Sequence, residues 1–287
     1  NLGADFPDSV GWNAYVQSGG KLSRGDWRRE AVNVFIENLY KKIKAAKPHV
    51  KFGLSPFGIW RPGYPESVSG FDQYEQLYAD AKLWLNKGWI DYFTPQLYWP
   101  INRQNTSFPV LLGWWESENT KKRHLWPGMS VGRDTSVKSV NETLNQIMIT
   151  RGMVPESKGA VHWSISSVTK NASLAKALLE STYRNDAIVP PSPWLDNKAP
   201  EAPKVTTAKN EKLTINWTHS DEKDVFRWVV YYKYGNSWSH TILNRNDRSF
   251  SLSNSIEANK TTVPLKQIAV TAIDRTGNES SRTEITL

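Results

Sequence analysis

Apolar residues recur at helical spacing in several stretches of the first two thirds of the chain, and compact apolar runs separate those stretches. The clearest stripe predicts a helix that begins at a cap near Asp26, and it comprises Val32, Phe35, Ile36, Leu39 and Ile43. Further helices are predicted over 71–86, 109–117, 139–150 and 171–183. Strands are predicted for the apolar runs over 50–57, 90–98, 125–131 and 160–168. The pattern therefore indicates four strands, each followed by a helix, behind one leading helix.

Regular alternation of strand and helix predicts an α/β fold, in which a parallel sheet is covered by helices. A complete (β/α)8 barrel takes about 250 residues, whereas this alternation ends near residue 187 after four strands. Residues 1–25 are interpreted as a long loop that leads from a strand into the first helix. We therefore expect residues 1–187 to form the C-terminal half of a TIM barrel, strands five to eight, with an upstream half-barrel before Asn1. A half-barrel that closes by dimerising is disfavoured, because its open edges would expose unpaired backbone groups.

The remainder of the chain has a different pattern. Residues 188–203 are rich in proline, which cannot sustain a helix or a central strand, so they are predicted to form a stiff linker. Residues 204–287 contain about seven short alternating runs, which predict an all-β sandwich. Trp217, "VVYY" at 229–232 and "IAVTAIDRTGNES" give this part a resemblance to the fibronectin type III family. Trp238 is interpreted as an ordinary loop aromatic, with a sugar platform as the less favoured reading.

Composition removes several classes of function. The 287 residues include no Cys, which excludes disulfides, thiol catalysis and Cys-ligated metals. The net charge of +8 is scattered along the chain, and no nucleic-acid motif accompanies it, so a nucleic-acid partner is not expected. No apolar run approaches the roughly 18 residues of a membrane span. Tryptophan is unusually frequent: 11 of its 14 copies precede Leu195, and stacking on sugar rings is one use for them besides packing.

The predicted strands end in unusual clusters of amides, aromatic rings and hydroxyls. In "TPQLYWP", Gln96 and Tyr98 share one face of the strand, and in "VHWSIS" His162 and Ser164 do the same. Trp60 and Arg61 follow the first strand in "SPFGIWRPG". Barrel chemistry lies at these carboxyl ends, and amides, hydroxyls and rings suit a polyhydroxylated ligand. The alternatives are that Gln96 and Tyr98 cap strand ends, that His162 is an interior residue, and that Arg61 holds its own loop.

"DWRRE", "SPFGIWRPG" and "TPQLYWP", in this order, resemble a bacterial family of glycosyl-hydrolase-like TIM barrels. Its members are often envelope lipoproteins, and some act on peptidoglycan glycan strands that have lost their peptides. The resemblance implies that Gln96, Tyr98 and Trp99 face the substrate, with Trp60 and Arg61 at its edge. Two departures are visible, because the residue after Arg61 is proline rather than asparagine and the family's Asp-Asp-Tyr run is absent.

Glycoside hydrolysis normally requires two carboxylates, about 5 Å apart for retention and 6.5–9.5 Å apart for inversion. The four strand ends supply no such pair, and Asp91 lies at the wrong end of its strand. Asp134 in "VGRD" is the best-placed acid and is a weak catalytic candidate, with a helix cap as the alternative. We therefore expect at least one catalytic carboxylate to lie upstream of this chain.

Two functions remain open. The first is a glycoside hydrolase that acts on a polysaccharide or a peptidoglycan glycan strand, with substrate-binding residues Trp60, Arg61, Gln96, Tyr98, Trp99, His162 and Ser164. The second is an envelope protein that binds carbohydrate or serves as a scaffold without catalysis. No cofactor and no metal are predicted, since neither a phosphate-binding loop nor a metal-ligand cluster is present in the sequence. The resemblance implies the periplasm or the cell surface, with a lipid anchor left open.

Overall fold

The computed structural model describes residues 5–132 and 136–287. The chain divides into two compact units, each with helices and sheets. The first, called the parallel unit, comprises Asn1–Val131, Ile149–Pro155 and Gly159–Ser164. The second, called the sandwich unit, comprises Gly132–Met148, Glu156–Lys158 and Ile165–Leu287. The domain limits at 187 and 203 stay predictions, and Asp134 lies outside the described residues.

The parallel unit is built around short parallel strands. They are β1 (Gly53–Leu54), β2 (Tyr92–Phe93), β3 (His124–Leu125), β4 (Gly128–Ser130) and β5 (Val161–Trp163). Strand β2 lies between β1 and β3, and β4 pairs with β5. Parallel bridges from Phe57 to Gln96 and from Gln96 to Gly128 join the two sheets. The strands therefore follow one another in chain order, and their carboxyl ends meet at one edge.

Helices alternate with these strands along the chain. In chain order they are α1 (Ser9–Gln17), α2 (Arg24–Ala46), α3 (Gln73–Gln76), α4 (Ala81–Lys87), α5 (Phe108–Glu118) and α6 (Val137–Met153). Residues predicted as a loop before α2 thus include the helix α1. The helix predicted over 71–86 is divided into two, because Tyr78 adopts a φ of 52° and Asp80 caps a new helix by accepting from the Leu83 amide.

Helix α2 confirms the helical stripe but not all of its details. Ser23, rather than Asp26, is the N-cap, and its side chain accepts from the Asp26 amide. Ile36 is buried as expected, whereas Phe35 is 63% exposed. Asn33 is also buried, and its side-chain oxygen accepts from the Trp84 indole at 2.8 Å. The periodic spacing therefore identified a common face without establishing which of its members are covered.

The sheet and α5 both contribute fully buried side chains to the core of the parallel unit. Phe93 of β2 and Trp115 of α5 are both fully buried, with their ring centroids 4.7 Å apart. At the amino end of β2, Asp91 is fully buried, accepts from the Phe52 amide at 2.7 Å and pairs with Lys44. Asp91 therefore ties α2 to the sheet, away from the carboxyl ends.

The sandwich unit contains α7 (Ile165–Thr169), α8 (Ala172–Glu180) and two antiparallel sheets. Helix α7 occupies the end of the run predicted as a strand over 160–168. The strands are β6 (Lys204–Lys209), β7 (Lys212–Thr218), β8 (Arg227–Tyr234), β9 (Ser237–Asn244), β10 (Ser249–Ser253), β11 (Ser255–Ala258), β12 (Thr261–Ile273) and β13 (Thr283–Thr286). One sheet has the order β10-β7-β6, and the other has the order β11-β12-β8-β9 with β13 beside β12. Buried side chains from both sheets, including Trp217 and Trp228, form one core.

Candidate functional site

A cleft of about 470 Å³ lies beyond the carboxyl ends of β1 and β2. It is formed by the chain just after each strand and by the loops around residues 70 and 104. Its lining consists of Ile59, Ser69, Gly70, Phe71, Trp99, Arg103, Gln104, Asn105 and Thr106. Of the predicted substrate-binding residues, Trp99 is the one that lines this cleft. We call this feature the Trp99 cleft.

The rings of Trp99 and Phe71, which line the cleft, both pack against the ring of Phe57. The rings of Phe57 and Trp99 meet edge to face with centroids 5.7 Å apart, and Phe57 meets Phe71 in the same way at 5.1 Å. Edge-to-face contacts of this kind contribute roughly 0.5–1.5 kcal/mol beyond simple burial. Trp99 is only half-buried. The cleft therefore presents an indole whose orientation is constrained from behind.

The loop that follows β1 is fixed by buried donors. The Gln73 amide, 1% exposed, donates to the carbonyl oxygens of Phe57 at 2.9 Å and Ile59 at 2.7 Å. The Trp115 indole donates to the Gly58 carbonyl at 2.8 Å. A side chain at Gly58 would meet the Gln96 carbonyl at 2.4 Å and the Trp99 ring at 2.9 Å. The close approach of these two loops therefore requires glycine.

The segment 103–106 gives the Trp99 cleft its polar lining. Arg103, Gln104 and Asn105 are exposed, and the Asn105 carbonyl accepts from the Ser69 amide at 3.2 Å. Arg103 is the one charged residue in the lining, and it forms no ion pair within the described ranges 5–132 and 136–287. The Thr106 hydroxyl is buried without a hydrogen-bond partner among those residues. Among the described residues, the lining includes no carboxylate.

Gln96 and Tyr98 lie close to the cleft without lining it. The Gln96 amide donates to the Ser55 carbonyl at 2.9 Å and so joins the ends of two neighbouring strands. This hydrogen bond is the kind expected if Gln96 caps a strand end. It uses the side-chain nitrogen of Gln96 and not the side-chain oxygen. Tyr98 is half-buried, and burial raises the pKa of its hydroxyl, which stays protonated at neutral pH.

His162 and Ser164 lie at the far strand, β5. Both are half-buried, and His162 is opposite Met129 in the β4–β5 register. Burial lowers the pKa of His162, so the imidazole is neutral at pH 7. Neither residue lines the Trp99 cleft. Trp163, which lies between them on the other face of the strand, is 66% exposed.

Trp60 and Arg61 belong to a separate cluster beside α3, α4 and α5. The Trp60 indole donates to Asp80 at 3.1 Å, and its ring stacks on Trp114 with centroids 6.0 Å apart. Arg61 pairs with Glu75 at 3.1 Å and lies 4.5 Å from the centre of the Tyr74 ring. These contacts tie Arg61 to side chains of α3 rather than to the backbone of its own loop, and its substrate-binding role stays a prediction.

Sequence reasoning missed Phe71, Gln104 and Asn105, which line the Trp99 cleft. All three lie outside the strand-end motifs: Phe71 is in the loop before α3, although the helix predicted over 71–86 includes it, and Gln104 and Asn105 begin a short 3-10 helix, Gln104–Thr106. One available signal is position, because the polar run 103–106 begins three residues after the end of "TPQLYWP" at Pro100. In the part of the chain that the structure describes, no group of three His, Asp or Glu side chains could hold a metal ion. No helix among the same residues has both the length and the apolar character needed to cross a bilayer.

The comparison with protein families identifies the family of this chain. The sequence profile of the family described as glycosyl hydrolase-like 10 matches residues 2–146, half of the chain. The chain belongs to the glycosyl hydrolase-like 10 family. The resemblance inferred from the three motifs is therefore confirmed for the N-terminal half. The match contains every residue of the Trp99 cleft, whereas His162 and Ser164 lie beyond it.

Relatives of this glycosyl hydrolase-like 10 chain include two curated bacterial proteins. Glycosyl hydrolase YngK of Bacillus subtilis is 32% identical over 99% of this chain and 59% of its own length. Glycosyl hydrolase DigH of Escherichia coli K12 is 38% identical over 35% of this chain and 24% of its own length. The chain thus spans about three fifths of the first relative and a quarter of the second. A solved structure, the spore cortex lytic enzyme SleM of Clostridium perfringens, covers 68% of this chain and 78% of its own with 16% identity and a TM-score of 0.27, which is too low to support an argument.

Proposed function

We propose that this chain provides the glycan-binding part of a glycoside hydrolase site, and that the Trp99 cleft receives the sugar. The family and its relatives support a glycosidase-related role with a carbohydrate substrate. We further propose that the parallel unit is the C-terminal half of a TIM barrel and that the antiparallel sheets form a fibronectin type III-like sandwich. Parallel strands in chain order and the core shared by two antiparallel sheets support these assignments.

The observation that carries the proposal is the composition of the cleft wall. A half-buried indole lines the cleft together with an amide pair and a guanidinium, at the edge where the carboxyl ends of parallel strands meet. An aromatic face packs against the C–H face of a sugar ring, while amides and a cation pair with its hydroxyl and anionic groups. A polysaccharide, such as a peptidoglycan glycan strand, has this chemistry. Such a substrate would place the protein in the periplasm or at the cell surface of a bacterium.

The second function, binding without hydrolysis, is favoured by the absence of carboxylates among the described residues that line the cleft. Hydrolysis would need a pair of carboxylates within about 5–9.5 Å of one another. We propose that at least one comes from outside this chain and that Asp134 is a candidate for the other. The two functions differ in turnover but not in binding, so they can be separated by experiment.

Binding is tested by isothermal titration of the full chain with a hexamer of β-1,4-linked N-acetylglucosamine. Replacing Trp99 by Ala should weaken the affinity about tenfold, or about 1.4 kcal/mol, because the stacking face is lost. Phe35→Ala is the matched control, since Phe35 is an exposed aromatic of the same unit outside the cleft. Equal affinities for the Trp99 and Phe35 variants would exclude the cleft as the glycan site.

Hydrolysis is tested separately on a longer protein that also carries the proposed upstream half-barrel, by measuring new reducing ends after incubation with the same hexamer and with a peptide-free glycan strand. If Asp134 serves as a general acid, Asp134→Asn should lower turnover roughly 100-fold or more while leaving binding intact. This chain alone is expected to release no reducing ends, so the deciding result comes from the longer protein: glycan binding without new reducing ends there would favour the binding function. Unchanged turnover in the Asp134 variant would remove that residue from the mechanism.

A further inference from the structure

The outer face of the larger sheet in the sandwich unit is covered at one end. Alternation places Val229 and Tyr231 of β8 on this face, opposite Ile242 and His240 of β9. Val229 and Tyr231 are buried, and Ile188 packs against them. The His240 ring lies 3.0 Å from the Asp186 carbonyl oxygen. The segment that leads into the proline-rich region therefore protects this end of the sheet.

The same face continues past Tyr231 without that cover. The next outward residue of β8 is Lys233, which lies opposite Trp238 of β9 on one side and Gln267 of β12 on the other. Trp238 is 38% exposed, and Lys233 and Gln267 are half-exposed. Arg282, just before β13, reaches over this region. We call these four residues the Trp238 platform.

Aromatic rings hold both cations of the platform in position. The Arg282 guanidinium lies 4.0 Å from the centre of the Tyr231 ring and 5.9 Å from that of Trp238. The Lys233 ammonium lies 5.7 Å from the Trp238 ring and donates to the Gln267 side-chain oxygen at 3.2 Å. Cation–π contacts at such distances contribute about 0.5–1 kcal/mol each at exposed sites. The two charges therefore flank one indole and are directed along the same surface.

Within ranges 5–132 and 136–287, neither cation of the platform forms an ion pair with a carboxylate. Among the ion pairs of the described residues, none includes Lys233 or Arg282. The nearby acid Glu279 accepts from the Tyr231 hydroxyl at 2.6 Å and from the Thr271 hydroxyl at 2.8 Å. Its charge is thus engaged with the covered part of the sheet. Glu284, on the neighbouring strand β13, is exposed and lies opposite Ala269, so it reduces the positive field without occupying the platform.

We infer that the Trp238 platform binds an anionic polysaccharide. An indole face offers stacking to a sugar ring, an amide offers hydrogen bonds to its hydroxyls, and two flanking cations match carboxylate or phosphate groups spaced along the polymer. A neutral glycan would leave both charges unused, and a polyanion without sugar rings would leave the indole unused. The platform belongs to the sandwich unit and does not depend on the function proposed for the Trp99 cleft.

The test is affinity electrophoresis of the full chain in native gels that contain polygalacturonate. The wild type should be retarded, and its apparent affinity should fall five- to tenfold both in Trp238→Ala and in the double variant K233Q/R282Q. The matched control is K209Q/K212Q, which removes the same charge from exposed positions on β6 and β7. If this control lost as much affinity as K233Q/R282Q, retention would reflect net charge alone and the inference would fail.

Two further gels identify the ligand class. In inorganic polyphosphate, K233Q/R282Q should lose retention while Trp238→Ala should not, because no sugar ring is present to stack. In neutral dextran, no retardation is expected for any variant. A Trp238 variant with wild-type affinity for polygalacturonate would show that the platform is not a glycan site. Thermal unfolding is measured for each variant. A midpoint temperature equal to that of the wild type would establish that the loss of affinity is local and does not come from unfolding.

Discussion

Gln73 provides a direct test of how the Trp99 cleft is built. Its buried amide donates two hydrogen bonds, to the carbonyls of Phe57 and Ile59, in the loop that carries Gly58 close to Trp99. In Gln73→Leu the volume is nearly kept, but both carbonyls lose their donor. Loss of the partly exposed hydrogen bond to the Phe57 carbonyl should lower the free energy of unfolding by about 1 kcal/mol. Loss of the hydrogen bond to the carbonyl of fully buried Ile59 should lower it by about 2 kcal/mol.

The expected loss is therefore about 3 kcal/mol in the free energy of unfolding of the parallel unit. With a urea dependence of roughly 1.5–2 kcal/mol per M, the midpoint should fall by about 1.5–2 M. Urea unfolding followed by tryptophan fluorescence measures this shift. Gln76→Leu is the matched control, because Gln76 lies on the same helix and is exposed, so its replacement should change stability by less than about 0.5 kcal/mol. Equal midpoints for the two variants would refute the role given to Gln73.

Three other predictions concern the same unit. Gly58→Ala should lower the free energy of unfolding by about 1–3 kcal/mol and weaken hexamer binding. Gly152→Ala is the control and should not lower stability, because Gly152 has open space around it. Urea unfolding and isothermal titration measure the two effects. Asp91→Asn should lower the free energy of unfolding by about 3 kcal/mol, because it leaves Lys44 without its buried partner. Thermal or urea unfolding measures this loss, and a value below about 1 kcal/mol would contradict the prediction. Burial, with a smaller effect from the charge of Lys51, lowers the pKa of His124 to about 4. The unfolded chain therefore takes up the proton first, and stability should fall by about 2 kcal/mol from pH 7.5 to pH 5, a loss that His124→Asn should largely abolish.

The sequence predicts the elements whose anchors are local. Helix α8 begins at Asn171 as expected, since that side chain accepts from the Leu174 amide, and the spacing that predicts α5 and α6 is also correct within a few residues. Helix α1 was missed because none of its residues is buried, so no apolar stripe marks it. The interruption between α3 and α4 at Tyr78 was missed because the apolar spacing continues across it. Asp80, a residue type that favours the N-cap position, is the signal in the sequence for a new helix there.

The candidate site was predictable only in part, for a physical reason. Strand periodicity shows which side chains share a face, and it brought Gln96 and Tyr98 to the correct edge of the sheet. It cannot show what a side chain contacts after the strand ends. Trp60 and Arg61 follow a strand as closely as Trp99 does, yet Asp80 and Glu75 hold them beside the helices. Those partners lie 14 to 20 residues away along the chain, beyond any local pattern.

The most direct test of the central claim is a crystal structure of the full chain soaked with the N-acetylglucosamine hexamer. The account predicts a sugar ring stacked on Trp99, with hydroxyl groups within hydrogen-bond distance of Gln104 or Asn105. Difference density for the hexamer at any other surface, with the Trp99 cleft empty at a concentration that saturates binding in solution, would contradict it.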